Sequence, residues 1–256
     1  MASSDKYTIG LNFGADEPNA GNTGGLAATE VAGVIPQANW NNFTGANGTN
    51  TAVVADNGGV STPTSLTVRW TCPNTWSSTG RGEENNGFTG PDHTLMLGYL
   101  DTGADGNGPA IVTIEDIPAD LTTGGYDVYV YMLGGVGGRG GGYGVTDMNT
   151  NTLRGFLYGT GLTGLPSTYI EDGGADHTDS GDYLVLRGVA ASSIRVEATT
   201  RDDFGFGGTE RAPINAIQLV AREPGPIWGV FGCAVLCRRA ARRLGSLPAA
   251  AHVVRR

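Results

Sequence analysis

The sequence predicts an all-β fold, an antiparallel β-sandwich of the jelly-roll type over residues 7–221. About ten short runs of alternating or β-branched residues are separated by turns rich in Gly, Asn, Asp and Pro. The sequence shows no amphipathic helical pattern before residue 227. Because parallel strands need crossover helices, this pattern favours antiparallel pairing.

The clearest element is a strand predicted over Tyr126–Leu133. Val128, Val130 and Met132 share one face at a period of two residues, and two tyrosines share the other. Residues of these types suit a pleated, half-buried surface. Since both faces are largely apolar, we expect a central strand that other layers cover on both sides. The other strands are predicted at 7–13, 51–55, 65–71, 94–100, 110–114, 153–158, 183–186, 194–197 and 214–220.

A glycine-rich segment, Gly134–Gly144, follows this strand and contains a G-x-G-x-x-G motif at Gly135–Gly140. In a dinucleotide-binding fold, a helix begins at such a motif and receives the pyrophosphate at its N-terminus. Here three more glycines follow within four residues, and each costs a helix about 1 kcal/mol. The segment therefore predicts a flexible hairpin loop and no nucleotide cofactor.

The charge of the chain is unevenly distributed. Residues 1–222 contain 10 Lys and Arg against 24 Asp and Glu, a net −14, whereas residues 223–256 contain 6 against 1, a net +5. An acidic body repels phosphates, so we expect no nucleic-acid partner. Lysine occurs once, at Lys6, which leaves arginine to make nearly every cationic contact.

The three cysteines predict neither a disulfide framework nor a zinc site. Cys233 and Cys237 have a C-x-x-x-C spacing, which differs from the C-x-x-C of redox and zinc motifs. Cys72 with His93 or His177 is a conceivable nucleophilic pair, but a single cysteine beside a strand is typical of a packing residue.

Carboxylates concentrate in the loop 171–182. Calcium takes six to eight oxygen ligands, which flexible acidic loops supply. The spacing is not that of an EF-hand, so two interpretations stay open: a solvated acidic loop and a calcium site. The segment 101–107 is a second candidate of the same kind. The predicted calcium ligands are Asp172, Asp176, Asp179 and Asp182.

Two further sets of residues are candidates for function. Glycoside hydrolysis needs two carboxylates beside a cleft, and Glu83, Glu84 and Asp92 occupy one predicted loop. Sugar binding needs aromatic faces beside side chains that bond hydroxyl groups, although the same residues also serve as core or edge packing. The candidate sugar ligands, which flank predicted loops, are Trp76, Tyr99, Asp101, Tyr131, Arg139 and Tyr143.

Three segments together resemble a known group of folds. They are Ile9–Gly14 at the start of the body, Tyr126–Tyr131 in its middle and Arg211–Val220 at its end. This order resembles malectin-like and galactose-binding-like jelly rolls, in which an opening strand pairs near a closing Asn-Ala-Ile strand. The chain is also similar to exported β-sandwich proteins of planctomycete-type bacteria, in which Val34–Asn42 and Gly98–Asp101 have counterparts. The resemblance implies the fold and glycan binding, but the family's ligand residues do not match this chain position by position.

The C-terminal segment 222–256 resembles a PEP-CTERM sorting signal. Arg222–Pro226 is followed by the apolar run Ile227–Cys237 and by the arginine-rich Arg238–Arg243. The resemblance implies export, transient anchoring in the inner membrane and processing by an exosortase. Arg222 departs from the motif's first proline, and 11 apolar residues are fewer than the ~20 that span a bilayer. The alternative is a short helix with a basic end in a cytoplasmic protein.

Residues 1–6 are predicted to be disordered and contain no apolar leader, so export implies a trimmed or misassigned start. The leading prediction is an exported, non-enzymatic protein that binds carbohydrate or associates with an extracellular matrix. One alternative is a secreted hydrolase acting on polysaccharides or esters. Another is a purely structural surface or biofilm component.

Overall fold

A computed structural model describes residues 6–14, 25–79, 82–103, 107–162, 164–174, 179–200 and 211–223. The chain divides into two units, Met1–Arg222 and Glu223–Arg256. The segment predicted to be disordered lies outside the described residues apart from Lys6, and so does the predicted sorting tail beyond Glu223.

The regular structure of the described residues is mostly β-strand, and it forms antiparallel sheets, as predicted. Two short helices are present, α1 (Gly90–Leu95) and α2 (Ala119–Thr122). The strands are β1 (Tyr7–Asn12), β2 (Asn41–Asn42), β3 (Asn47–Asn50), β4 (Val54–Asn57), β5 (Val60–Pro63), β6 (Thr67–Thr71), β7 (Asn74–Ser77), β8 (Gly98–Asp101), β9 (Ala110–Glu115), β10 (Tyr126–Tyr131), β11 (Gly141–Asp147), β12 (Thr152–Gly159), β13 (Tyr183–Val189), β14 (Ile194–Thr199) and β15 (Ala216–Ala221).

These strands form two large sheets and one small ribbon. The seven-stranded sheet has the order β13-β10-β15-β1-β4-β5, with β2 beside β1, and the six-stranded sheet has the order β12-β11-β14-β9-β6-β3. Pairing is antiparallel except for the two-residue β2, which lies parallel to β1. β7 and β8 form the ribbon. The opening strand β1 lies beside the closing strand β15, with Thr8 opposite Val220.

Both large sheets contribute side chains to one hydrophobic core. β10 and β15 supply Val128 and Leu219, and β9 and β14 of the other sheet supply Val112 and Val196. All four side chains are fully buried. Burial of one such side chain stabilises the folded chain by about 1.5–3 kcal/mol, so this shared core holds the two sheets together.

The strand predicted over Tyr126–Leu133 is confirmed and corresponds to β10, Tyr126–Tyr131. Val128 and Val130 of β10 face the main core, whereas Tyr131 packs in a second hydrophobic cluster that includes Trp40 and Leu95. The segments that contain Trp40 and Leu95 cover the side of the sheet on which Tyr131 lies. β10 is therefore a central strand with apolar material on both faces.

Part of the strand predicted at 94–100 is wrong. Its first residues end helix α1, and β8 begins only at Gly98. Pro91 and Asp92 occupy the first turn of this helix, where proline loses no hydrogen bond and a carboxylate interacts favourably with the helix dipole. These start signals prevail over the apolar run Leu95–Leu97, which is buried.

The prediction of a loop over Gly134–Gly144 is also partly wrong. Its last residues form β11, which pairs with β12 on one side and β14 on the other. A Cβ atom at Gly142 would lie 2.1 Å from Cζ of Phe156. The aromatic ring thus fills the space that a side chain at position 142 would need, which explains a glycine within a strand.

Asn215 connects several of these elements through its buried amide. Its Nδ2 group donates hydrogen bonds to the carbonyls of Met96, Gly98 and Leu133, each at 3.1 Å, and its Oδ1 accepts one from the Leu133 amide. The two N–H hydrogens are shared among three acceptors. The side chain therefore joins the end of β10, the start of β8 and the residue before β15.

We expect Asn215→Ala to lower the free energy of unfolding by about 3–5 kcal/mol, because it leaves several buried backbone groups without partners. Chemical denaturation measures this change. The matched control is Asn47→Ala on the edge strand β3, where the side chain is exposed. Equal losses in the two variants would contradict the role assigned to Asn215.

Candidate functional site

A cavity of about 150 Å³ lies beside the β7–β8 ribbon. We call it the Trp76 pocket. Its lining residues are Asn74, Trp76, Glu83, Asp101, Arg139 and Arg211. Three of them were predicted as sugar ligands and one as a catalytic carboxylate, so residues proposed for separate roles lie in one place.

The ribbon sets the positions of the first residues in this pocket. Asn74 lies opposite Asp101, and Trp76 lies opposite Tyr99. Cross-strand partners point to the same side of a ribbon, and so do residues two positions apart on one strand. The four side chains consequently share one face, and Tyr99 is the fully buried member of the set.

Glu83 is held by three N–H groups. Arg139 donates from Nη2 to Oε1 at 2.9 Å and from Nη1 to Oε2 at 3.4 Å, and Trp76 donates from Nε1 to Oε2 at 2.9 Å. Charge-assisted bonds in this forked geometry are strong and directional. Both charged side chains are largely buried, with 15% of Arg139 and 21% of Glu83 exposed. The indole and the guanidinium are thus fixed relative to each other.

The glycine-rich segment allows this arrangement. A Cβ atom at Gly135 would lie 2.0 Å from Oε2 of Glu83 and 2.8 Å from the carbonyl oxygen of Ser77. Only a residue without a side chain permits the backbone to approach the carboxylate so closely. The absence of a side chain at Gly135 therefore makes room for the carboxylate of Glu83.

Asp101 and Arg211 form the opposite part of the pocket. Arg211 Nε lies 3.5 Å from Asp101 Oδ1, which also accepts a hydrogen bond from the Gly103 amide at 2.9 Å. Burial raises the pKa of Asp101 above its usual range, while the Gly103 amide and the two arginines oppose this shift. Burial and the charge of Asp101 also raise the pKa of the Tyr99 hydroxyl.

The lining of the Trp76 pocket contains two carboxylates and two guanidinium groups, so its formal charge is zero. Arg211 and Asn74 were not among the residues predicted from the sequence. Asn74 belongs to a strand that is too polar to be predicted from periodicity. Arg211 precedes β15 in the chain, and it reaches the pocket because β15 lies in the middle of its sheet, between β10 and β1.

The remaining predicted sugar ligands, Tyr131 and Tyr143, are buried. Tyr131 donates to Gln218 Oε1 and accepts from the Val34 amide, both at 2.8 Å. Tyr143 donates to the carbonyl of Pro213 at 3.0 Å. Each ring packs in a hydrophobic cluster, so both tyrosines contribute to packing and do not line the Trp76 pocket.

The three predicted catalytic carboxylates do not line one site. Glu83 lines the Trp76 pocket, whereas Glu84 is exposed. Asp92 accepts hydrogen bonds from the Gly33 amide at 2.9 Å and the Tyr169 hydroxyl at 2.8 Å. Asp92 therefore connects α1 to two neighbouring segments.

The predicted calcium ligands are only partly described, since Asp176 lies outside the described residues. Asp172 accepts hydrogen bonds from the amides of Thr160 and Gly174. Asp182 accepts one from an amide through Oδ1, while its buried Oδ2 has no hydrogen-bond partner. Asp179 is exposed.

Within the described ranges, no group of three or more His, Cys, Asp or Glu side chains has the arrangement of a metal site. The second acidic candidate, 101–107, is described at its ends only, and its Asp101 belongs to the Trp76 pocket. Calcium binding stays a prediction.

The conceivable cysteine nucleophile is a protonated thiol. Cys72 donates to the carbonyl of Asn74 at 2.8 Å, and burial raises the pKa of its thiol to about 11. A thiol with this pKa is a weak nucleophile at neutral pH. His93 lies in the last turn of α1, and His177 lies outside the described residues.

Comparison with known proteins gives no assignment: no family model, no curated protein and no solved structure matches this chain. The resemblances to malectin-like folds and to PEP-CTERM tails stay predictions. The helices of the described residues are too short to cross a membrane.

Asp182 makes a pH-dependent contribution to stability. Burial raises the pKa of this carboxyl to about 7 in the folded protein, against about 3.9 for an unperturbed aspartate. The folded state therefore binds the proton more tightly, and its stability falls as the pH rises from about 4 to about 7. Between pH 5 and pH 8, the expected loss is on the order of 2 kcal/mol.

We expect Asp182→Asn to remove this contribution and to flatten the dependence of unfolding free energy on pH. Urea titrations at pH 5, 6.5 and 8 measure the slope. Asp116→Asn is the control, because Asp116 is exposed and asparagine adopts its left-handed backbone conformation readily. An unchanged slope in the Asp182 variant would show that another group titrates.

Proposed function

We propose that this chain is a non-enzymatic carbohydrate-binding protein that holds one sugar unit in the Trp76 pocket. The observation that carries the proposal is the composition of the pocket. An indole, two carboxylates, two guanidinium groups and an amide surround a cavity of about 150 Å³. Such a set offers an apolar ring face together with many hydrogen-bond donors and acceptors.

The charge of the pocket favours a neutral ligand. The two arginines balance the two carboxylates, so neither an anion nor a cation gains from the net field. A sugar hydroxyl both donates and accepts hydrogen bonds, which matches acceptors on Asp101 and donors on Arg139 and Arg211. The apolar face of a pyranose ring fits the indole of Trp76.

The size of the pocket favours a single unit. Cavities for drug-sized ligands measure about 300–1,000 Å³, so a cavity of about 150 Å³ suits one ring, such as the end of a chain. Glu83 fixes the Trp76 indole and the Arg139 guanidinium before a ligand arrives. A preformed site loses little conformational entropy on binding.

The proposal includes the finer fold and the location of the protein. We propose a β-sandwich of the malectin-like or galactose-binding-like jelly-roll type, which the shared core and the pairing of β1 with β15 support. The PEP-CTERM-like segment supports export and processing by an exosortase. The concentration of carboxylates in the loop 171–182 supports calcium as a bound ion.

A second candidate function is hydrolysis of a glycoside, and two carboxylates in one pocket favour it. Glu83 is held by N–H donors, whereas burial raises the pKa of Asp101. In glycosidases a carboxyl group with a raised pKa acts as the general acid beside a second carboxylate, and Asp101 would take that role beside Glu83. In this reading Asp101 replaces Glu84 and Asp92 as the partner of Glu83.

A glycan array with the full chain, run with calcium and with a chelator, tests the proposal. We expect saturable binding to one sugar class, weakened at least about tenfold by Trp76→Ala because the stacking face is lost. The control is Met148→Ala, which removes an exposed apolar side chain in a turn outside the pocket. Equal binding by both variants would contradict the assignment of the pocket.

The same samples separate the other functions. Release of a product sugar, lost by a factor of about 10²–10⁴ in Asp101→Asn, would establish the hydrolase. Binding that a chelator abolishes would support calcium, and binding that a chelator leaves unchanged would argue against it. A protein that neither binds nor releases sugar would be the structural surface component.

A further inference from the structure

The outer face of the six-stranded sheet carries a second candidate binding site. Along β14, Val196 and Ala198 point into the core, so Arg195, Glu197 and Thr199 point outward. The same alternation places polar side chains on the outer side of β9, β6 and β3. This face therefore presents side chains that form hydrogen bonds across several strands.

Two cavities lie on this face and adjoin each other. One, of about 200 Å³, extends over β12, β11 and β14, and the other, of about 390 Å³, extends over β9, β6 and β3. Arg195 and Glu197 line the first cavity and pair directly with Thr113 and Ile111, which line the second. The two cavities thus lie side by side on one sheet face, and we call them together the outer trough.

Glycine makes room for the trough at one end. Gly144 of β11 lines its floor, between Leu153 and Phe156 of β12 and the charged side chains of β14. A Cβ atom at Gly144 would lie 3.5 Å from Phe156 Cδ2 and 3.6 Å from Leu153 Cδ1, which is ordinary contact. Packing thus permits a side chain at this position, although the chain carries none.

The trough combines an apolar end with balanced charges. Leu153 is 57% exposed and forms the apolar end with Phe156. Farther along, Arg195 pairs with Glu197, and Arg69 pairs with Glu115. Among the described residues, both arginines that line the trough thus have a glutamate beside them, and Glu115 lies on the same face just outside the lining. These pairs leave little net field for a polyanion or a polycation.

We propose that the outer trough binds an extended segment of a neutral polysaccharide. Six strands at a spacing of roughly 4.8 Å give a face on the order of 24 Å across, which suits a polymer of several sugar units. The charge balance selects an uncharged chain, and the threonines and ion pairs bond its hydroxyl groups. The outer trough shares no lining residue with the Trp76 pocket, so the protein has separate sites for a chain and for a single unit.

Calorimetric titration of the full chain tests this proposal with linear neutral hexasaccharides of glucose, xylose and mannose. We expect at least one to bind, and Gly144→Val to weaken that binding at least about tenfold because its methyl groups enter the trough. The control is Ser61→Val, which places the same side chain on the exposed strand β5 of the other sheet. Leu153→Ser, at an exposed position on the edge strand β12, should also weaken binding without unfolding the protein.

Several results would overturn the proposal: no binding of any hexasaccharide, equal binding by Gly144→Val and Ser61→Val, or preferred binding of a polyuronate. Loss of self-association in Gly144→Val without loss of sugar binding would show that the face joins two copies of the chain. Trp76→Ala should leave hexasaccharide binding by the trough intact. Loss in Trp76→Ala alone would support the Trp76 pocket and refute the outer trough.

Discussion

The buried amide of Asn215 is the interaction on which the rest of this structure depends. It bonds the backbone of Gly98 and Leu133, which lead into β8 and into the glycine-rich segment. β8 carries Asp101, and the glycine-rich segment carries Arg139. Arg211 lies four residues before the asparagine itself. The same side chain that joins the strands therefore also brings together three walls of the Trp76 pocket.

Glycine determines how closely these walls approach. Gly135 lets the backbone approach the carboxylate of Glu83, and Gly142 accepts the ring of Phe156 above a strand. Both positions belong to a segment whose motif is typical of phosphate binding. Here the missing side chains serve close packing against a carboxylate and an aromatic ring, and no helix follows to receive a phosphate.

Arginine supplies the cationic side chain in the ion pairs of the body. With a single lysine, arginine provides the cationic partner at Glu83, Asp101, Asp147 and Glu171. At Glu83 and Asp147 the planar guanidinium donates from two nitrogens, which makes these two pairs directional. The chain is acidic overall, yet the lining of the Trp76 pocket is neutral, and Arg69 and Arg195 of the outer trough each have a glutamate beside them. That balance is the reason why we propose neutral ligands at both sites.

The sequence by itself determined the β class, the antiparallel pairing and the central strand β10, because alternation at period two depends only on neighbouring residues. It also identified Trp76, Asp101, Arg139 and Glu83 as candidates, though in separate roles. Only the tertiary structure decided that these residues share a pocket, since Arg139 and Glu83 are 56 positions apart and lie outside regular alternation. Likewise, Gly141–Asp147 became a strand because Phe156 of the neighbouring strand supplies the bulk that the glycines lack. Local periodicity contains no information about such a partner.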